Sequence, residues 1–220
     1  MGRWTTPDLK SKTVHDAWKR IRPLLWGTAY YKTDPLVDRF LLSMSGHGNL
    51  SLFYLAQQIY GAGAGIVGKA IVAPVVPRLS LLHKAGDKSE FRRVYRRKLW
   101  QVGLITGSCF LAVVMLGESL LSLLVGHGAV TNANVRALWL IMLGLGGMFV
   151  GGAMASVTTS SFYARGDTRV PTRLGMLTYT VYIPIKIISF ELGGVMALAI
   201  SASVYYLINV LVQHGFLRKY

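Results

Sequence analysis

Four charged side chains lie within one apolar stretch near the start of the chain. The stretch covers residues 24–45 and holds Lys32, Asp34, Asp38 and Arg39 near its middle. It has about the 20 residues that a helix needs to cross the hydrocarbon core of a bilayer. Each uncompensated charge at that depth costs roughly 2.5 to 3.5 kcal/mol, so such charges face a partner or a water-filled cavity. The stretch therefore predicts a functional segment rather than a lipid-facing helix.

Helical spacing sorts these charges by sign. Lys32 and Arg39 are seven residues apart and fall on one face of a helix, whereas Asp34 and Asp38, four apart, share a different face. Pro35 disfavours helical geometry at Asp34 and predicts a kink there, with the carboxylate close to freed backbone N–H groups. Two interpretations stay open: internal ion pairs that only neutralise the segment, or the wall of a polar cavity.

The composition is too apolar for an ordinary soluble domain. Of the 220 residues, 52% are hydrophobic and 15% are charged, whereas about 25% of residues are charged in soluble domains. The sequence therefore predicts an all-α integral membrane protein. The net charge of +15 would suit a nucleic-acid partner. However, the basic residues lie between apolar segments, so membrane topology explains them better and no nucleic acid is expected.

Six apolar segments predict six membrane-spanning helices. They cover residues 24–45, 50–77, 99–125, 136–164, 174–190 and 195–214. Together they predict a membrane domain over residues 24–214 and a short tail over residues 215–220. Residues 1–23 are basic, with apolar side chains at helical spacing, which suits a helix on the membrane surface or a linker left from a longer protein. They lack a long apolar run, so no cleavable signal peptide is expected.

The basic residues between the spans predict an orientation. One set of loops holds 19 of the 24 Lys and Arg residues: 1–23, 78–98, 164–173 and 215–220. The opposite set holds none: 45–49, 126–134 and 191–194. By the positive-inside rule, both termini are expected to be cytoplasmic. The pattern of residues 78–98 suits an amphipathic helix at that surface.

Polar side chains and glycines also mark the second predicted span. Gly61 and Gly65 form a GxxxG step, which would let another helix approach closely. Gln57 and Gln58 precede them, and Lys69 follows. Lys69 either reaches back to the nearer membrane interface or faces a cavity, and both interpretations stay open.

The sequence contains no recognisable motif for enzymatic, metal or cofactor chemistry. It contains no HExxH, P-loop or GxSxG motif and no cluster of His and Cys. Cys109 is the only cysteine, which excludes an intrachain disulfide and a CxxC site. His47 and His127 lie in short loops, where we expect solvated side chains rather than ligands. The protein is therefore expected not to be an enzyme and to need no cofactor.

Several of these segments together resemble the MurJ/MviN lipid II flippase family, within the multidrug/oligosaccharidyl-lipid/polysaccharide exporter superfamily. The resemblance covers nearly all of residues 22–213. Four pieces carry it: YKTDPLVDRFLLS at 31–43, LFYLAQQIYGAGAGIVGKAIVAPVVPRLS at 52–80, AGDKSEFRRVYRR at 85–97 and FYARGDTRVPTR at 162–173. The order of the pieces resembles the second half of such flippases, their seventh to twelfth helices. The resemblance implies a six-transmembrane-helix bundle that forms one lobe of a two-lobed flippase.

This resemblance also implies a function and its partners. Such flippases hold the diphosphate of an undecaprenyl-linked glycan, such as lipid II, in a cationic cavity and alternate its access between the two faces of the bacterial cytoplasmic (inner) membrane. The expected partners are this lipid-linked diphosphate, membrane lipids, and either a first-half lobe or a second copy of the chain.

On this interpretation Lys32, Arg39 and Lys69 contact the diphosphate. Asp34 and Asp38 hold those cations in place or take part in ion coupling. Gln57 and Gln58 complete the predicted substrate site. The chain departs from the family here, because it has LAQQI at 55–59 where the family commonly shows an acidic–basic pair in a YADRL-like segment. The cavity cation expected at position 58 is therefore absent.

Two alternative functions remain at this point. An inactive fragment or membrane scaffold would pair the span charges only with each other. A cation-coupled antiporter of the same superfamily would use Asp34 and Asp38 as its proton or sodium site.

Overall fold

The computed structural model describes residues 12–46, 48–125 and 131–219, and within these ranges every regular element is a helix. The helices are α1 (Lys12–Tyr31), α2 (Asp34–Ser43), α3 (Asn49–Val67), a π-helical turn (Gly68–Val72), α4 (Ala73–Lys84), α5 (Lys88–Val125), α6 (Asn132–Gly144), α7 (Gly146–Ala164) and α8 (Arg169–Lys219). His47 and His127, for which solvated side chains were predicted, lie outside the described residues.

The predicted all-α six-helix bundle is confirmed, although several of its spans are broken. The continuous run from α3 to α4, α5 and α8 are each long and apolar enough to cross a membrane, and α6 with α7 forms a fourth span bent by 44°. At 1.5 Å per residue, the 51 residues of α8 would measure roughly 77 Å, far more than the 30 Å hydrocarbon core. Its backbone leaves helical geometry at Gly193 and Gly194, which divides it into two legs. These legs correspond to the fifth and sixth predicted spans. The first predicted span falls on α1 and α2, which are not among the described helices that are long and apolar enough to cross a membrane.

The break between α1 and α2 falls where Pro35 predicts it. Pro35 occupies the first turn of α2, where its missing N–H leaves no hydrogen bond unmade. The Thr33 hydroxyl donates to the Tyr30 carbonyl oxygen at 2.7 Å and so satisfies one acceptor at the end of α1. The helix is thus interrupted where the kink was predicted, and Asp34 is the first residue of the second helix.

The most extensive helix contact among the described residues joins α7 to α8. A Cβ atom on Gly151 would lie 2.9 Å from the Tyr206 backbone, so only glycine fits there. Ser203 satisfies two backbone groups near the break between α6 and α7. Its hydroxyl accepts a hydrogen bond from Met148 N–H at 3.1 Å and donates one to the Gly144 carbonyl at 2.5 Å. The close approach predicted at Gly61 and Gly65 is not found. A Cβ atom at either position would meet nothing within 4 Å.

Candidate functional site in the membrane

A buried ion cluster joins the first span to the fifth. The Lys186 ammonium on α8 lies 2.6 Å from Oδ1 of Asp38 and also pairs with Asp34, both on α2. The side chains of Lys186 and Asp38 are 2% and 6% exposed, whereas that of Asp34 is 27% exposed. Two carboxylates therefore share one ammonium in a place that water hardly reaches. Buried charges persist in such places only when they are paired.

Lys186 was missed as a site residue from the sequence. We expected Asp34 and Asp38 to hold Lys32 and Arg39 in place, but both carboxylates form ion pairs with Lys186 instead. A signal was present, because Lys186 is the only charged residue in the fifth predicted span, residues 174–190. The rule that singled out the first span, that a charge within the membrane has a partner or a function, applies equally there.

Tyrosine side chains surround the cluster. The Lys186 Nζ atom lies 5.2 Å from the centroid of the Tyr182 ring, within range of a cation–π interaction. Tyr182 stacks on Tyr205, with ring centroids 4.4 Å apart and planes 12° from parallel. The hydroxyl of Tyr179 shares a 3.0 Å hydrogen bond with that of Thr33. These rings keep bulk water from the ion pairs and tie the turn before α2 to α8.

Lys32 and Asp34 open on a cavity beside this tyrosine layer. The cavity has a volume of about 360 Å³. Its lining residues are Thr28, Tyr31, Lys32, Asp34, Pro35, Tyr179, Tyr205 and Tyr206. Lys32 is exposed and forms no ion pair within the described parts of the chain. The cavity therefore presents an uncommitted ammonium next to one edge of the ion cluster.

Arg39 lies apart from Lys32. Its Nε atom donates to the Tyr54 hydroxyl at 3.3 Å, and its guanidinium lies 5.6 Å from the centroid of the same ring. The Tyr54 hydroxyl donates in turn to the Pro35 carbonyl at 3.1 Å, which fastens α3 to the start of α2. The prediction that Lys32 and Arg39 share one helical face is wrong, because Lys32 lies in the break between α1 and α2 and Arg39 lies within α2.

The other predicted site residues divide into near and distant ones. Gln57 lies beside the Asp38 carboxylate, at the edge of the ion cluster. Gln58, the next residue on α3, is exposed instead. Lys69 is exposed in the π-helical turn, which packs against α7 and α5. No contact described for Lys69 joins it to the ion cluster.

An apolar groove runs between the two legs of α8. It has a volume of about 550 Å³, and its lining is mostly aliphatic. Leu177, Val181, Ile200 and Val204 are exposed along it, so the groove is open on that side. Tyr205 lines both this groove and the cavity that holds Lys32. The cavity and the apolar groove therefore share one lining side chain.

The resemblance carried by the sequence motifs can now be compared with known proteins. The profile of the family described as lipid II flippase MurJ matches residues 4–220. This chain belongs to the MurJ family. Among curated MurJ relatives, each named a probable lipid II flippase, the Vibrio cholerae protein is 23% identical over 188 residues. That match covers 86% of this chain and 36% of the relative. The Thermotoga maritima protein is 27% identical, over 84% of this chain and 39% of the relative.

A solved MurJ structure shows the same fold. It is a lipid II flippase MurJ in an inward closed conformation, and it superposes with a TM-score of 0.77 at 17% identity. The match covers 94% of this chain and 45% of the solved chain. The chain thus spans roughly two fifths of the length of the MurJ relatives it matches, as the resemblance to one lobe predicts.

Proposed function

We propose that this chain forms one half of a flippase that moves an undecaprenyl-diphosphate-linked glycan, such as lipid II, across the bacterial cytoplasmic membrane. One observation carries the proposal: the cavity that holds Lys32 and the apolar groove of α8 share the lining residue Tyr205, so the two lie next to each other. A lipid-linked diphosphate needs both environments side by side. Its anionic head requires fixed cations, and its polyprenyl chain requires an apolar path open to the bilayer.

The cations of the first span would bind the diphosphate. Lys32 faces the cavity as a compact charge with three donors, and Arg39 offers a planar fork on the following turns of α2. Gln57 and Gln58 would add amide donors from α3, and Lys69 would act only if the bundle rearranges toward it. Charge-assisted hydrogen bonds to phosphate oxygens contribute about 1.5 to 3 kcal/mol each.

The buried ion cluster would serve the conformational step. A flippase makes no bond in its substrate and works by binding it differently in two conformations. Lys186, Asp34 and Asp38 fasten α2 against the first leg of α8 in this conformation. Separating the two helices would leave buried charges unpaired. The contact between α2 and α8 would therefore be either fully formed or fully broken, and not partly open.

The alternative functions are less well supported. A scaffold that pairs its span charges only with each other does not match the uncommitted Lys32 or the Arg39 that binds Tyr54. A cation-coupled antiporter would need Asp34 and Asp38 free for a proton or sodium ion, but the Lys186 ammonium already lies against both carboxylates. Neither observation favours a second function.

A second lobe would complete the cavity. Because this chain spans 36% to 40% of the first matched relatives, a first-half lobe or a second copy of the chain would supply the opposite wall. Both termini would then face the cytoplasm, as the basic loops require.

Binding of a polyprenyl diphosphate tests the proposal directly. The full chain in lipid nanodiscs is titrated with undecaprenyl diphosphate, and Lys32→Gln is compared with Lys88→Gln at the start of α5. We expect the first substitution to weaken binding about tenfold or more, because one charge-assisted contact is lost, and the second to leave it unchanged. Equal affinities for the two variants would remove Lys32 from the site. A failure of every form to bind would refute the proposed substrate class.

A further inference from the structure

A second cavity lies at the end of the bundle that carries the basic loops, and none of the three residues of the ion cluster lines it. It is formed where the start of α5, the end of α8 and the loop after α7 come together, and its volume is about 590 Å³. Its lining residues are Phe91, Arg92, Tyr95, Arg96, Leu99, Trp100, Met154, Arg165, Val210, Leu211, His214, Leu217 and Arg218.

Four arginines line this cavity without an acidic partner. Arg92 and Arg96 come from α5, Arg165 from the loop after α7, and Arg218 from the last turn of α8. None of the four takes part in an ion pair within the described residues. Like charges that converge in this way repel one another, and an anion between them would relieve the repulsion.

The acidic residues nearby are committed elsewhere. Glu90 pairs with Arg93 and Arg78, which lie outside the cavity. Asp167 influences Arg165 electrostatically, but its Oδ1 accepts the backbone N–H groups of Arg169 and Val170 at 3.0 and 3.1 Å. That carboxylate therefore starts α8 rather than neutralising the arginines.

Aromatic side chains hold the polar end in shape. The Arg165 guanidinium lies 4.5 Å from the centroid of the Phe91 ring, which fixes its plane. The Tyr95 hydroxyl and His214 Nδ1 are 2.6 Å apart and join α5 to α8 across the cavity. These contacts leave the guanidinium groups as the free donors of the site.

The cavity changes from basic to apolar along its length. On α5 the lining passes from Arg92 and Arg96 to Trp100, a distance of about 12 Å at 1.5 Å per residue. On α8 it passes in the opposite chain direction, from Arg218 to Leu211. Trp100 and Leu211 are both largely exposed, so the apolar end opens toward lipid, and tryptophan favours the membrane interface.

We infer that this cavity binds the phosphate headgroup of an anionic membrane phospholipid at the surface that carries the basic loops. The arginines receive the phosphodiester, and the acyl chains descend past Trp100 and Leu211. A soluble phosphate compound would use the guanidinium groups but would gain nothing from the apolar end. Basic pockets between helices on the cytoplasmic side are the sites where anionic lipid headgroups bind. The bound lipid bridges α5 and α8 at a place distinct from the cavity of Lys32.

Lipid retention by the intact chain tests this assignment. The protein is equilibrated with micelles that contain phosphatidylglycerol or phosphatidylcholine, and native mass spectrometry counts the lipids that remain bound. We expect wild type to retain phosphatidylglycerol in preference to phosphatidylcholine. The double variant Arg96→Gln/Arg218→Gln should bind phosphatidylglycerol about tenfold or more weakly.

Matched controls separate this site from general surface charge. Arg97→Gln/Lys219→Gln removes two positive charges from the same two helices at positions outside the cavity, and it should bind like wild type. Arg96→Lys/Arg218→Lys keeps the charge but loses the planar fork, so its affinity for phosphatidylglycerol should lie between those of wild type and the glutamine double variant. Circular dichroism confirms that each variant is folded.

Three outcomes would overturn the assignment. They are equal retention of phosphatidylglycerol by wild type and the glutamine double variant, an equal loss in the control pair outside the cavity, and binding of glycerol 1-phosphate as tight as that of the intact lipid. The last would indicate a soluble phosphate ligand instead of a lipid.

Discussion

Removing the Lys186 ammonium should destabilise the fold severely. Lys186→Met keeps the length and apolar volume of the side chain but leaves Asp38, whose side chain is 6% exposed, without its partner at 2.6 Å. Breaking a buried ion pair by removing one partner costs about 3 to 5 kcal/mol. The more exposed Asp34 should add less, because solvent screens it. We expect a fall of at least several degrees in the apparent melting temperature, followed by tryptophan fluorescence in detergent.

A second substitution separates loss of charge pairing from loss of packing. In Lys186→Met/Asp38→Asn the buried carboxylate is gone, so most of the stability should return even though the ammonium is still absent. Asp38→Asn alone should cost less than Lys186→Met, because Asp34 still pairs with the ammonium. If Lys186→Met melts like wild type, or if the double variant is no more stable than Lys186→Met, the ion cluster does not fasten α2 to α8 and the reasoning is wrong.

Three further predictions concern packing, the loop before α5 and topology. Gly151→Leu should abolish folding, because its Cβ atom alone would lie 2.9 Å from the Tyr206 backbone, whereas Gly65→Leu, with nothing within 4 Å, should be tolerated; equal yields of monodisperse protein would contradict this. Hydrogen bonds from Glu90 N–H and the Ser89 hydroxyl lower the pKa of Asp87, so its carboxylate stabilises the start of α5 above its unfolded-state pKa and loses that effect as pH falls. Between about pH 5 and 3, the melting temperature should therefore fall less steeply with pH for Asp87→Asn than for wild type. Parallel plots of melting temperature against pH would argue against this helix cap. In a cysteine-free background, cysteines at Ser89 and Asn132 should label from opposite sides of intact cells, and labelling of both from outside would refute the six-span topology.

Local features of the fold could be predicted from the sequence because their causes lie within a few residues. Pro35 ends one helix and begins another through its missing N–H, whatever packs around it. The glycines before Val195 mark the turn between the last two spans, and the structure breaks α8 at Gly193 and Gly194. Runs of apolar residues give the spans because a bilayer requires every backbone group to be satisfied within its own helix.

Pairing between distant residues could not be predicted in the same way. Asp34 and Lys186 are 152 residues apart, and nothing local indicates that α2 lies against the first leg of α8 rather than against α3. The glycines show a similar limit. Small residues permit close approach wherever they occur, but Gly151 meets a neighbouring backbone, whereas Gly61 and Gly65 meet none. The residue types on a helix face show whether another helix can approach it closely, but the fold of the whole chain determines which helix lies against that face.

Translocation itself tests the central claim most directly. The chain is expressed together with a first-half MurJ lobe in a bacterium depleted of its own lipid II flippase, and the appearance of lipid II at the outer face is followed with a membrane-impermeant probe. We predict that the wild-type pair restores outer-face lipid II and that Lys32→Ala and Arg39→Ala abolish it at unchanged protein levels, while Lys88→Ala does not. Normal translocation by both Lys32→Ala and Arg39→Ala, or none by the wild-type pair when both halves are present in the membrane, would contradict the proposed role of this chain.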